Sequence, residues 1–239
     1  MITAATTTAT TMTSGLDDAG LYRLMTWLSP GYPVGAFSYS HGLEHAVEAG
    51  SVTDAAALRA WLADLLRWGS GRNDAILFRH AHAAAARASV LAEVATLAAA
   101  FAASAERYLE TTAQGRAFAE ATADAWPCDA LDRLLKAWQG PLAYPVVVAV
   151  AAAGHGLPLE PSLHAYLHAF AGNIVSAGVR LIPLGQRDGQ RVVAALEPAI
   201  AETAAATREA TLDDLGGSAL LAELAAMKHE TQYTRLFRS

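Results

Sequence analysis

Three residues between positions 41 and 45 could act as a chemical unit. His41-Gly-Leu-Glu44-His45 has the His-x-x-Glu-His spacing of inverted zinc peptidases. On one helix, histidines four apart present both imidazoles to one metal, and the adjacent carboxylate activates a bound water. A helical zinc-dependent hydrolase using His41, Glu44 and His45 is therefore one reading. Gly42 weakens the helix that would hold these ligands, and no later segment stands out as the source of a third. The plainer reading has His41 and Glu44 hydrogen-bonding within a loop–helix junction or facing a partner, with His45 on a helix surface.

Other candidate groups are weaker. His164 and His168 are also four apart, but only Glu160 lies near them at ligand spacing, which suits surface or packed histidines. His80 and His82, two apart, cannot share a helix face. Cys128, the single cysteine, can form neither an internal disulfide nor a thiolate-rich zinc site. It stands beside Pro127 and Asp129 at an expected helix start, and no motif joins it to a base. Neither Lys136 nor Lys228 follows a glycine-rich strand-to-helix turn, so the chain has no P-loop of its own. No cofactor is implied.

Two later segments carry polar groups of a different kind. Around Arg180, an apolar helix end runs into a glycine-rich turn flanked by Gln186 and Gln190. Arg180 is either a C-terminal helix cap or a projecting ligand for a carboxylate. Residues 228–239 mix Tyr233, Leu236 and Phe237 with Arg235 and Arg238, a composition typical of interface anchors. Such a segment is expected to be mobile until a partner orders it.

The elements that must position these groups are helical. The chain has 239 residues, 53% hydrophobic, and no composition break, which favours one domain. Leu58, Trp61, Leu62, Leu65 and Leu66 fall on one helical face, with Ser51 and Thr53 as N-cap candidates and Gly69 as the stop. Leu163, Tyr166, Leu167, Phe170 and Ile174 repeat the pattern in a long segment closing near Pro183. Further helices are expected at 17–28, 40–49, 73–86, 88–109, 114–125, 129–139, 143–153, 190–207 and 216–228. The fold class expected is all-α, a single-domain bundle of about ten helices. Its parts are a disordered tail over 1–15, a helical domain over 16–227 and a partner-docking segment over 228–239.

Net charge is −6 with two lysines, so no basic stripe exists to engage phosphate backbones, and nucleic acid is excluded as a partner. Residues 1–15 form a Thr/Ala tract without the cationic start of a targeting peptide. The most apolar run, 142–154, is interrupted by Pro145 and falls short of the roughly 20 residues a bilayer crossing needs. A cytoplasmic location without membrane contact is expected, and the high apolar content suggests a homodimer.

Three blocks also match a known pattern. Ser29-Pro-Gly-Tyr-Pro-Val-Gly-Ala-Phe-Ser-Tyr-Ser-His-Gly-Leu-Glu44 resembles the opening motif of the UreF family of urease accessory proteins. Ser176 to Gln190 and His229 to Ser239 resemble its second and third signatures, and Gln114-Gly-Arg-Ala-Phe118 a shorter internal one. The resemblance spans residues 29–239 and implies an all-helical, dimerising, non-catalytic chaperone of nickel-urease assembly. Its implied partners are the accessory protein UreD, also called UreH, the nickel-carrying GTPase UreG, and apo-urease. Nickel insertion is implied to be coupled to GTP hydrolysis by UreG. Functional positions implied by the match are Glu44, Asp74, Arg180 and Arg235. Around them Tyr39, His41, Gln186, Gln190, His229, Glu230, Tyr233, Leu236, Phe237 and Arg238 are expected to serve partner binding. Alanine at Glu44 or Arg180 is expected to leave stability nearly unchanged if the side chain is exposed.

Overall fold

A helix made of Tyr-Pro-Val-Val-Val-Ala-Val-Ala-Ala-Ala-Gly has no polar face, so the only stable place for it is the middle of the molecule. The computed structural model, which describes residues 15–239, puts it there. Residues 145–152 are all buried, and Pro145 occupies the first turn, where its missing N–H costs nothing. Burial here overrides the modest helix propensity of valine.

Twelve α-helices and two 3₁₀ turns are present among the described residues, and no strand is. They are α1 (Asp18–Trp27), α2 (Leu43–Glu48), α3 (Ala55–Trp68), α4 (Ser70–Ala84), α5 (Ala88–Ala100), α6 (Ala105–Ala125), α7 (Asp129–Ala137), α8 (Tyr144–Gly154), α9 (Leu159–Leu181), α10 (Gln186–Ala195), α11 (Glu197–Ala206) and α12 (Leu220–His229). The central helix is α8, with α4, α5, α6, α7 and α9 packed around it; α3, α10 and α11 pack on the far side of α4 and α9. One apolar core runs through all of them. Near its middle, Trp27, Tyr32, Phe118, Trp126, Tyr144, Tyr166 and Phe78 form a chain of tilted and edge-on aromatic contacts. The all-helical single-domain expectation holds. Save for Gly15, the expectation for residues 1–15 lies outside the described residues.

Several boundaries differ from the expectation, each for a local reason. Asp54, not Ser51 or Thr53, caps α3, its carboxylate accepting from the Ala57 N–H at 2.9 Å. The single helix expected over 88–109 divides at Ala102–Ser104, where Ser104 caps α6 by accepting from the Arg107 N–H at 3.2 Å. From that cap α6 continues unbroken to Ala125, absorbing the helix expected at 114–125. The 190–207 segment breaks at Leu196, because Pro198 starts α11.

The buried face of α6 is what matters for function. Its N-terminal half carries Glu106, Glu110 and Gln114 on the same inward stripe that Phe118, Ala119 and Thr122 continue. Gly115 lets α6 approach closely: a Cβ there would collide with the Leu142 carbonyl oxygen.

Candidate functional site

His41 and Gly42 both adopt left-handed backbone conformations, with φ of 60° and 76°. For Gly42 this is required twice over, since a Cβ would also meet the Ala226 backbone nitrogen of α12 at 2.7 Å. The two residues turn the chain sharply into α2, which begins only at Leu43. His41 therefore lies outside the helix, and the one-face arrangement needed by the His-x-x-Glu-His reading does not form. Both of its ring nitrogens are engaged: Nδ1 lies 3.3 Å from Glu110 Oε1 and Nε2 2.6 Å from Ser70 Oγ. Among the described residues, no three His, Cys, Asp or Glu side chains gather around a point that could hold a metal ion.

Glu44, in the first turn of α2, is buried and faces the chain's own last residues. Its Oε1 accepts from the Leu236 N–H at 2.7 Å; its Oε2 accepts from the Phe237 N–H at 3.0 Å and lies 2.9 Å from His229 Nε2. His229, fully buried at the end of α12, places Nδ1 2.7 Å from Glu106 Oε2. The other oxygen of Glu106 accepts from Arg235 Nη1 at 2.6 Å. The result is a linear relay, Glu44 to His229 to Glu106 to Arg235, linking α2, α12, α6 and the 230–239 segment. With two protons shared among Glu44, His229 and Glu106, the guanidinium of Arg235 brings the group to zero net charge, the condition under which burying ions is tolerable.

A second cluster abuts the first. Glu110 meets His41, the Arg107 guanidinium and the Ser239 hydroxyl, which donates at 2.8 Å. Burial works to raise the Glu110 carboxyl, but Arg107 and the bonds from His41 and Arg107 prevail and hold it well below the usual range. His41 is pushed down to about 4 by burial and by Arg107, so its imidazole is neutral at pH 7. Backbone bonds complete the seal: Arg238 N–H donates to Ser38 O and Ser40 N–H to Ser239 O, both at 2.7 Å.

Phe237 is buried, and Arg180 lies over it with its guanidinium carbon 4.4 Å from the ring centroid. Arg180 also donates from Nη2 to the Phe37 carbonyl at 2.9 Å and from Nε to Ser176 O at 3.2 Å. Of the two roles open from sequence it thus takes neither cleanly. It reaches back to its own helix, but its main bond and its stacking join the 36–39 turn to residue 237. The three sequence blocks meet at this point.

Residues 228–239, expected to be mobile in the free chain, are anchored, and Glu44 is buried, so the condition on which its replacement by alanine is expected to be harmless to stability is not met. The other site residues fall as follows. Tyr39 is buried, and burial raises its phenol. Tyr233, Leu236 and Arg238 project outward. Glu230 accepts from the Ala105 N–H at 3.0 Å, supporting the start of α6. Gln186 and Gln190 are exposed on α10, with no hydrogen bond to the centre. Asp74, on α4, bonds the Tyr166 hydroxyl at 2.7 Å and lines a cleft of about 440 Å³ with His41, Ser70, Asn73 and Arg107. Burial lifts Asp74 to about 6, against the lowering effect of the Tyr166 bond.

Sequence reading missed Glu106, Arg107 and Glu110. The available signal was that positions 106, 110, 114 and 118 are four apart, so the polar residues continue the inward stripe of Phe118. An expected helix end at 109 concealed it.

Fold and site together define an all-helical protein that spends its buried polar groups on holding its own segments in place. No helix among the described residues is long and apolar enough to cross a membrane. The family model described as UreF matches residues 52–197. The Urease accessory protein UreF of Rhodopseudomonas palustris strain BisB5 is 57% identical over 235 residues, covering 98% of this chain and 97% of that protein. Urease accessory protein UreF of Bradyrhizobium sp. strain ORS 278 is 56% identical over 227 residues, 94% of each chain. That of Bradyrhizobium diazoefficiens is 56% identical over 223 residues, 92% of each. The chain belongs to the UreF family of urease accessory proteins, and its role lies in urease maturation.

Proposed function

We propose that the chain is a non-catalytic docking subunit of urease maturation. It binds the accessory protein UreD/UreH, recruits the GTPase UreG as a homodimer, and so couples GTP hydrolysis to nickel insertion into apo-urease in the cytoplasm. The observation that carries this reading is the convergence of the three blocks into one anchored centre. Its inward groups (Tyr39, His41, Glu44, His229 and Phe237) are consumed by internal bonds and packing, whereas Arg180, Tyr233, Leu236 and Arg238 are presented outward.

An exposed apolar stripe supports the same reading. Leu220, Leu221, Leu224 and Met227 are exposed on α12, and Tyr233 and Leu236 are exposed in the segment that follows it. Contiguous exposed apolar residues of this size mark contact surfaces. Asp74 supports it differently: a carboxyl raised by burial disfavours its own ionised form, which points to retention for a use other than stability.

Complementation tests the reading. In a urease-positive host lacking its own UreF, this chain is expected to restore urease activity and the nickel content of purified urease. A Tyr233→Ser/Leu236→Ser chain of normal fold is expected to restore neither. Nickel-loaded urease in the absence of any such chain, or full activity with the double variant, would contradict it.

A further inference from the structure

The bonds at His229 impose a proton count. Nε2 lies 2.9 Å from a Glu44 oxygen and Nδ1 2.7 Å from a Glu106 oxygen, with the imidazole fully buried. Each bond needs a hydrogen, and an ionised carboxylate supplies none. Two protons must therefore be shared by the three groups, either both on the ring or one on the ring and one on a carboxyl. Removing one sets a carboxylate oxygen against a ring lone pair in a water-poor site, an arrangement that repels.

The same two carboxylates hold the 230–239 segment. Glu44 takes the Leu236 and Phe237 N–H groups and Glu106 takes Arg235. We propose that Glu44, His229 and Glu106 form a proton-loaded clasp that holds residues 235–239 closed and opens as pH rises.

Charged neighbours on every packed element are compatible with this. From α2 comes Glu44; from α6, Glu106, with Arg107 and Glu110 paired to each other beside it; from the last segment, Arg235; and from the end of α12, Glu230. Arg235 offsets one carboxylate, so the two-proton state is neutral and the one-proton state leaves a net buried negative charge. Burial raises the Glu106 carboxyl above the ordinary glutamate value, against the lowering effects of His229 and Arg235. A raised value contributes stability that is complete below the ordinary pKa and is lost as pH rises through the raised one. The direction agrees with the proton count.

Opening would withdraw Arg235 and Leu236 from the outward face. That consequence rests on the docking reading above, whereas the clasp itself does not.

Amide hydrogen exchange on the full chain tests the clasp without a partner. Protection of the Leu236 and Phe237 amides, corrected for intrinsic exchange, is expected to fall about tenfold between about pH 5 and pH 9, the loss of roughly one hydrogen bond. Glu106→Gln separates this from a merely structural role. Its side-chain oxygen can accept from Arg235 while its NH₂ donates to Nδ1 of a neutral His229, so protection is expected to stay high to alkaline pH. His229→Gln is expected to show low protection throughout. Ring-nitrogen NMR of His229 should place proton loss from the three-group unit at the same pH as the loss of protection. Wild-type protection that does not change with pH, Glu106→Gln falling in step with wild type, or protection lost with no change of proton on the unit would overturn the clasp. Partner affinity that ignores pH while the clasp responds would count against the docking reading alone.

Discussion

The centre around α8 and the junction around Glu44 are both buried, yet they are built on opposite plans. At α8 residues 145–152 pack into the apolar core, contacts are numerous and non-directional, and no single one decides the packing. At the junction, α2, α6, α12 and residues 235–239 meet through directed bonds: Glu44 to His229, Leu236 and Phe237, Glu106 to His229 and Arg235, and Glu110 to Ser239. The first region specifies that the chain folds. The second specifies where one segment lies, and a few altered bonds would release that segment while leaving the bundle intact.

The largest effect that would break this distinction belongs to the core. Phe118→Ala removes a fully buried ring that touches Trp27, Tyr32 and Tyr144. A loss of about 4 kcal/mol is expected, seen as a cooperative fall in Tm of the whole chain. Glu44→Ala should cost about 3 kcal/mol, since it strands a buried histidine and two backbone N–H groups. Here the damage should be local. Limited proteolysis is expected to cut near residues 230–239 well below the global unfolding temperature, and uniform resistance of that segment would erase the contrast.

The neutral, buried His41 sharpens the comparison through pH. Its folded-state value of about 4 lies below the ordinary histidine value, so its contribution is present above about pH 6.5 and is lost as pH falls towards 4. Stability should decline across that window by about 3 kcal/mol, at about 1.4 kcal/mol per pH unit. His41→Asn is expected to flatten that slope in denaturant titrations. Asp74 gives the smallest effect and the opposite sign. Raised to about 6, its carboxyl favours the protonated form, so its contribution is present below the ordinary aspartate value and lost through about pH 6. Asp74→Asn, which can still accept from Tyr166, should therefore stabilise the chain at pH 7 by about 1 kcal/mol. If it destabilises instead, Asp74 is a structural residue and its separation from the junction loses meaning.

How much was legible in sequence follows the same division. The helices of the core could be read from spacing alone, because Leu58, Leu62, Leu65 and Leu66 or Leu163, Tyr166, Leu167 and Ile174 fall on single faces, and burial needs nothing more specific. The split at Ser104 was harder. The alanines at 98–100, 102 and 103 read as continuing helix and hide the break, and only the serine cap marks it. The junction was half legible: Glu44, Arg180, His229 and Arg235 could be singled out by type and by family resemblance. The bonds that assemble the junction could not, because they join residues up to 199 positions apart and depend on two left-handed residues, His41 and Gly42, that aim α2 at α12. Glu106 and Glu110 are residue types that usually belong to a solvated helix face. Only the inward stripe shared with Phe118 distinguishes them.

The docking role proposed above requires that the junction fix an outward face around Tyr233 and Leu236. The most direct measurement is the affinity of the purified UreD-type protein for the full chain and for its Tyr233→Ser/Leu236→Ser variant. Both side chains are exposed, so stability should change by no more than about 0.5 kcal/mol while affinity falls at least about tenfold. Equal affinity for the two chains, with both folded, would contradict the account.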